Sequence, residues 1–206
     1  MIRRMIIHRS PMQDVEIETP PASEHDQCKV KVERRGKASG WVVLGPAGQV
    51  LRRFIDTNGD NVVDQWRYYQ HGLEVYRDVD GNFNNQVDQS RWLNTAGTRW
   101  GLDTNEDGRI DRWKVLSAEE ASREAVRALV AQDEKAMQAV LLHSDDVSEL
   151  GIDADLAKKL LDAGSNATAK MRSVMSNSKT LTPQSKWLRF DSAAPIIIPV
   201  EDAKAA

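Results

Sequence analysis

One cysteine, Cys28, stands among 206 residues. It excludes an internal disulfide and any zinc site built from several thiolates, and reads as a small buried or idle thiol. The four histidines, His8, His25, His71 and His143, are scattered and form no HExxH-like pair. No run is apolar for long enough to span a membrane. The opening residues Met1 to Arg9 are basic, with an apolar run too short for a signal peptide. Charge of neither sign dominates: the net charge is -3, and Lys and Arg are interleaved with acids. No basic face stands out, so nucleic acid is not an expected partner. The length suits one or two domains able to bury a core.

Against these absences stands one repeated feature, three acidic loops between Asp56 and Asp111. They read Asp56-Thr57-Asn58-Gly59-Asp60-Asn61-Val62-Val63-Asp64, then Asp80-Gly81-Asn82-Phe83-Asn84-Asn85-Gln86-Val87-Asp88, then Asp103-Thr104-Asn105-Glu106-Asp107-Gly108-Arg109-Ile110-Asp111. All three fit D-x-N-x-[DN]-x-x-[VI]-D and recur about every 24 residues. This spacing suits calcium, a hard cation that takes roughly six to eight oxygen ligands from carboxylates, amides and backbone carbonyls. Side chains at positions 1, 3 and 5 converge. Position 7 lends its backbone oxygen, so Val62, Gln86 and Arg109 all serve, and position 9 closes the sphere with Asp64, Asp88 or Asp111.

Position 6 must tolerate a positive φ, and it is Asn61, Asn85 or Gly108, the types that enter that region at least cost. Position 8, Val63, Val87 or Ile110, is an apolar anchor. Asp and Asn also mark ordinary turns, but turn formation alone requires no acid at position 9. Position 12, a bidentate Glu in an EF-hand, is here Arg67, Arg91 or Lys114. Loops one and three carry three ligand acids each. Loop two carries only Asp80 and Asp88, with neutral Asn82 and Asn84, and is expected to be weakest.

The nine-residue cores resemble the loops of dockerins and thrombospondin type-3 repeats. Residues 37 to 125, through Phe54-Ile55-Asp56, Gly72-Leu73-Glu74-Val75-Tyr76 and Arg91-Trp92-Leu93-Asn94, resemble exported bacterial calcium-loop repeat proteins of the planctomycete type. That resemblance implies an exported or envelope-associated calcium-binding chain and no known reaction. Weak extracellular calcium sites work at roughly 10⁻⁴ to 10⁻³ M, which suits such a setting. A true start upstream of Met1 would reconcile export with the opening residues.

Along the chain, residues 1–28 are polar, lack a period and are expected to form a mobile arm. Residues 29–116 alternate and read as strands and turns, including Trp41 to Leu44, Val50 to Ile55, and the turns Gln70-His71-Gly72 and Asn94-Thr95-Ala96-Gly97. If plain turns and acidic loops alternate between antiparallel strands, all three loops lie on one edge of a meander, about 10 Å apart. The aromatics Trp41, Trp66, Tyr68, Tyr76, Trp92, Trp100 and Trp113 are expected in the core rather than as a sugar platform. Residues 117–177 turn helical after the capping box Ser117 to Glu120. A second helix is expected over Asp133 to His143, a third capped by Ser144, and more helix from Asp153 with a break at Gly164. Residues 178–206 form a tail, with a short strand at Trp187 to Phe190 and an apolar strap over Pro195 to Pro199.

The fold expected is therefore α+β, an antiparallel meander of hairpins with calcium loops on one edge, followed by helices. The function expected is a non-enzymatic, calcium-stabilised structural or interaction module with a protein partner or self-association. The rivals are an envelope hydrolase with structural calcium, drawing on Asp145, Asp146, Glu149, Asp153 and Asp155, and an adhesion or carbohydrate-binding module using the aromatics.

Overall fold

A computed structural model describes residues 9–94 and 97–191. The chain divides after Leu116 into two compact units. The first is one eight-stranded antiparallel sheet in sequence order, β1 (Lys29–Arg35), β2 (Ala38–Leu44), β3 (Val50–Asp56), β4 (Gln65–Gln70), β5 (Leu73–Val79), β6 (Gln89–Asn94), β7 (Gly97–Leu102) and β8 (Arg112–Val115). Every strand pairs with its neighbours in sequence, so the meander expected from the alternating pattern is the observed topology. The β4–β5 connection has only two residues, His71 at φ 49° and Gly72 at φ 78°. Two successive positive φ angles match the twist of a tight hairpin.

Strand periodicity sorts the side chains into two faces. On one face Arg52, Tyr68, Tyr76 and Trp92 stand opposite one another on β3 to β6. Tyr68 and Tyr76 are wholly buried and Trp92 is 5% exposed. Ring centroids are 5.8 Å apart for Tyr68 and Tyr76 and 5.1 Å for Tyr76 and Trp92, and the row extends to Trp113 at 5.5 Å. Tilted and edge-on pairs at this spacing each contribute about 0.5–1.5 kcal/mol beyond burial. Trp66, Phe54, Val43 and Leu51 complete the core, while Trp41 at 38% exposure lies outside it.

The expected mobile arm is corrected over residues 9–28, which lie across this aromatic face as a strap. Their lack of period reflects the absence of a repeating neighbour. Its bonds instead spread over β3, β4 and β5. Tyr68 Oη donates to the Ser10 carbonyl at 3.1 Å, Met12 N to Asp78 Oδ2 at 3.1 Å, Gln13 N to Tyr76 Oη at 3.3 Å, and Glu18 N to the Tyr69 carbonyl at 2.9 Å. The buried Arg52 guanidinium donates to the Glu18 carbonyl and to Thr19. Val15 and Ile17 pack against the core, and a short 3-10 turn over Ala22–Gln27 buries His25.

The second unit holds α1 (Ala118–Ala131), α2 (Glu134–Val140), α3 (Ser144–Leu150), α4 (Ala154–Ser165) and α5 (Ala167–Asn177). Ser117 caps α1, its Oγ accepting from Glu120 N at 3.2 Å. The α2 helix stops at Val140 rather than His143, and α3 begins with His143, not Ser144, as its cap, the His143 N–H donating to Asp146 at 2.8 Å. Asp153 caps α4. Gly164 stays helical, because the break falls at Asn166, whose amide donates to the Asp162 carbonyl. Trp187 to Phe190 is not a strand. Trp187 leans on α1 instead, its indole N–H donating to Ser122 Oγ at 3.0 Å. The Pro195 to Pro199 strap lies outside the described residues, as do Thr95 and Ala96.

Candidate metal centre

The acidic loops join β3 to β4, β5 to β6 and β7 to β8, so all three sit on one edge of the sheet, two strands apart. They are stitched together: Asp80 N donates to the Asp64 carbonyl at 2.8 Å, and Asp103 N to the Asp88 carbonyl at 2.9 Å. Position 9 of one loop thus holds position 1 of the next.

Within each loop nearly the same bonds recur, the difference at position 1 being that Asp56 takes the N–H of position 4 where Asp80 and Asp103 take that of position 5. The position 1 carboxylates, Asp56, Asp80 and Asp103, are at most 4% exposed. Asp56 accepts from Gly59 N at 2.6 Å and Asn61 N at 2.9 Å, Asp80 from Asn84 N and Asn85 N, and Asp103 from Asp107 N and Gly108 N. At position 3, Asn58, Asn82 and Asn105 each accept the N–H of position 5 through Oδ1. At position 5, Asp60, Asn84 and Asp107 each accept the N–H of position 7, which is Val62, Gln86 or Arg109. At position 9, Asp64, Asp88 and Asp111 turn back to the N–H of position 2. Every sequence-derived side-chain position therefore faces into its own loop, where short polar side chains replace the backbone partners a tight bend cannot supply.

Position 6 has positive φ in all three loops, 70° at Asn61, 73° at Asn85 and 83° at Gly108. Position 4 does too, which the sequence reading missed: 88° at Gly59, 62° at Phe83 and 57° at Glu106. Phe and Glu carry no sequence signal for that conformation, and it costs each of them about 1–2 kcal/mol. Val87 is buried, and Val63 and Ile110 pack against the core, anchoring the loops from position 8. Ile110 needs room on β7: a methyl group on Gly101 would stand 2.6 Å from its Cδ1.

The electrostatics record the crowding. Asp103 is raised above the usual carboxylate range, first by burial, with Asp107 and Asp111 adding to the rise and the Gly108 and Asp107 N–H groups opposing it. Next to loop two, Asp78 is wholly buried, accepting from Tyr76 Oη at 2.5 Å and from Met12 N, and burial pushes it up to about 6.

Among the described residues no three His, Cys, Asp or Glu side chains meet as a group able to hold a metal ion. The donor set would instead mix carboxylates with Asn amides and one main-chain carbonyl per loop. It contains oxygen alone, the chemistry of a hard cation. A carboxylate oxygen that accepts one N–H retains capacity for a second partner.

Loop two differs from the others in one contact. Glu106, at position 4 of loop three, reaches across and accepts from Asn82 Nδ2 at 2.9 Å, Asn84 Nδ2 at 2.7 Å and Gln86 Nε2 at 2.8 Å. The loop poorest in acids borrows a carboxylate from its neighbour. Only the strand order, which sets loops two and three side by side, reveals this. Comparison with protein-family models, with curated proteins and with solved structures returns no match.

Proposed function

We propose that this protein is a non-enzymatic structural or interaction module whose meander is stabilised by calcium held in the edge loops. The observation that carries the reading is the threefold recurrence of one bond set. Positions 1, 3, 5 and 9 turn oxygens inward in every copy, and position 6 takes a positive φ each time. In loop one the donors are Asp56, Asn58, Asp60, the Val62 carbonyl and Asp64. In loop three they are Asp103, Asn105, Asp107, the Arg109 carbonyl and Asp111. Without a cation each set gathers carboxylates that repel one another. Calcium offsets that repulsion and stabilises the fold by RT ln(1 + [L]/Kd) per independent site.

Loop two, through Asp80, Asn82, Asn84, the Gln86 carbonyl and Asp88, is the weakest member, because only Asp80 and Asp88 among its donors carry charge. An exported or envelope setting, where weak sites fill, accords with this donor count. The test is the double substitution Asp103→Ala and Asp107→Ala. It lowers the calcium stoichiometry by one and shrinks the calcium-dependent part of the melting temperature. Unchanged stoichiometry in that variant removes loop three from the assignment.

A further inference from the structure

The face of the sheet opposite the aromatic row carries a second row, of one charge. Arg53 stands directly opposite Arg67, Arg67 opposite Arg77, and Arg77 opposite Arg91. Arg91 in turn stands opposite Trp100 and lies over its ring at 3.6 Å, and the Lys114 ammonium is 4.2 Å from the same ring. The repeat builds this row. Each loop carries a base at position 12, Arg67, Arg91 or Lys114, and loops one and two are preceded three residues earlier by Arg53 and Arg77. In the linear sequence these bases are interleaved with acids. Strand register brings them into line.

Like charges directly opposite one another destabilise a sheet, and little here offsets them. Among the described residues two carboxylates pair with the row: Glu74 is 2.7 Å from Arg77 and 3.7 Å from Arg67, and Glu33 is 3.6 Å from Arg53. The Gln65 and Gln89 side chains hold Arg67 and Arg91 from two residues back on the same strand. Arg91 is pulled below its ordinary range by burial and by Arg77. The Arg53, Arg67 and Arg77 side chains are 34%, 23% and 21% exposed, so each is partly open to solvent. The result is a straight line of forked donors, one per strand, about 4.8 Å apart, with surplus positive charge.

We propose that this row is the docking surface for a linear polycarboxylate, a uronate-bearing polysaccharide laid across the strands. A planar guanidinium matches a carboxylate in bidentate fashion, and an extended chain with one carboxylate per sugar, turned over at successive sugars, presents carboxylates on one side to about every second strand, roughly 9.6 Å apart. An extended acidic peptide repeats on one side at about 6.8 Å, two residues of about 3.4 Å each, and falls out of step. Single-stranded nucleic acid binds on open aromatic faces, whereas Trp100 is taken up by Arg91 and Lys114. The surface stands on the sheet alone and does not depend on the calcium reading.

The experiment measures binding of the full chain to polygalacturonate, poly-glutamate and oligo(dT) at low ionic strength without added divalent ion. Polygalacturonate binds, salt weakens it, and Arg53→Gln with Arg91→Gln lowers its affinity by about tenfold or more, from the worth of charged hydrogen bonds. The control, Arg34→Gln with Arg35→Gln, removes the same charge from exposed residues outside the row and leaves binding unchanged. If the first pair fails to fold, the exposed Lys114→Gln tests the same row by a smaller loss. Absence of polygalacturonate binding, equal losses in row and control variants, or tighter binding of poly-glutamate or oligo(dT) overturns the proposal.

Discussion

Removal of the Glu106 carboxylate separates two opposed effects at one residue. Glu106 accepts three amide donors from loop two. On an exposed edge each such bond contributes about 0.5 kcal/mol, well below its buried value, so the three together contribute about 1–1.5 kcal/mol. The same residue sits at φ 57°, where a side chain costs about 1–2 kcal/mol and glycine costs almost nothing. Glu106→Ala loses the bonds and keeps the strain, lowering stability by about 1–1.5 kcal/mol. Glu106→Gly loses the bonds and relieves the strain, ending within about 0.5 kcal/mol of the parent. Urea unfolding in chelator reads both variants. A cycle with Asn84→Ala isolates one of the three bonds at about 0.5 kcal/mol of coupling. Equal destabilisation by Ala and Gly, or none by Ala, refutes the reasoning.

Two further outcomes follow from buried positions. Asp78 has a folded pKa of about 6 against an ordinary value of 3.8. Its stabilising contribution is fully present below about pH 4 and is lost as pH rises through about 6, a change of about 3 kcal/mol. In chelator, Asp78→Asn therefore gains on the parent between about pH 4 and pH 7 and flattens that part of the stability profile, as followed by urea midpoints; a parallel profile contradicts it. Gly101→Ala pushes Ile110 out of its place against β7 and costs about 1–3 kcal/mol by overpacking. Calcium affinity at loop three falls with it, as read by titration, and an unchanged affinity means that Ile110 does not anchor the loop.

Much of this edge was legible in the sequence because its bonds are local. A carboxylate at position 1 and an N–H at position 6 are five residues apart, as in Asp56 with Asn61, and such short-range pairing writes itself into residue type. The meander was legible for the same reason, since each strand pairs with its sequence neighbour. What escaped the sequence is long-range or conformational. The strap over residues 9–28 depends on partners such as Tyr76 and Asp78, more than sixty residues away in the Met12 and Gln13 bonds. Glu106 finds loop two only through strand order, and the arginine row exists only once four strands are in register. Positive φ at Phe83 is imposed by the loop rather than requested by the residue.

The most direct measurement of the central claim is a calorimetric calcium titration of chelator-stripped protein, joined to thermal melts in calcium and in chelator. Two tightest sites are expected, in loops one and three, with loop two weaker or silent, and a large rise in melting temperature in calcium. No heat of binding and no shift in melting temperature would contradict it, leaving the three loops as hydrogen-bonded Asp and Asn turns.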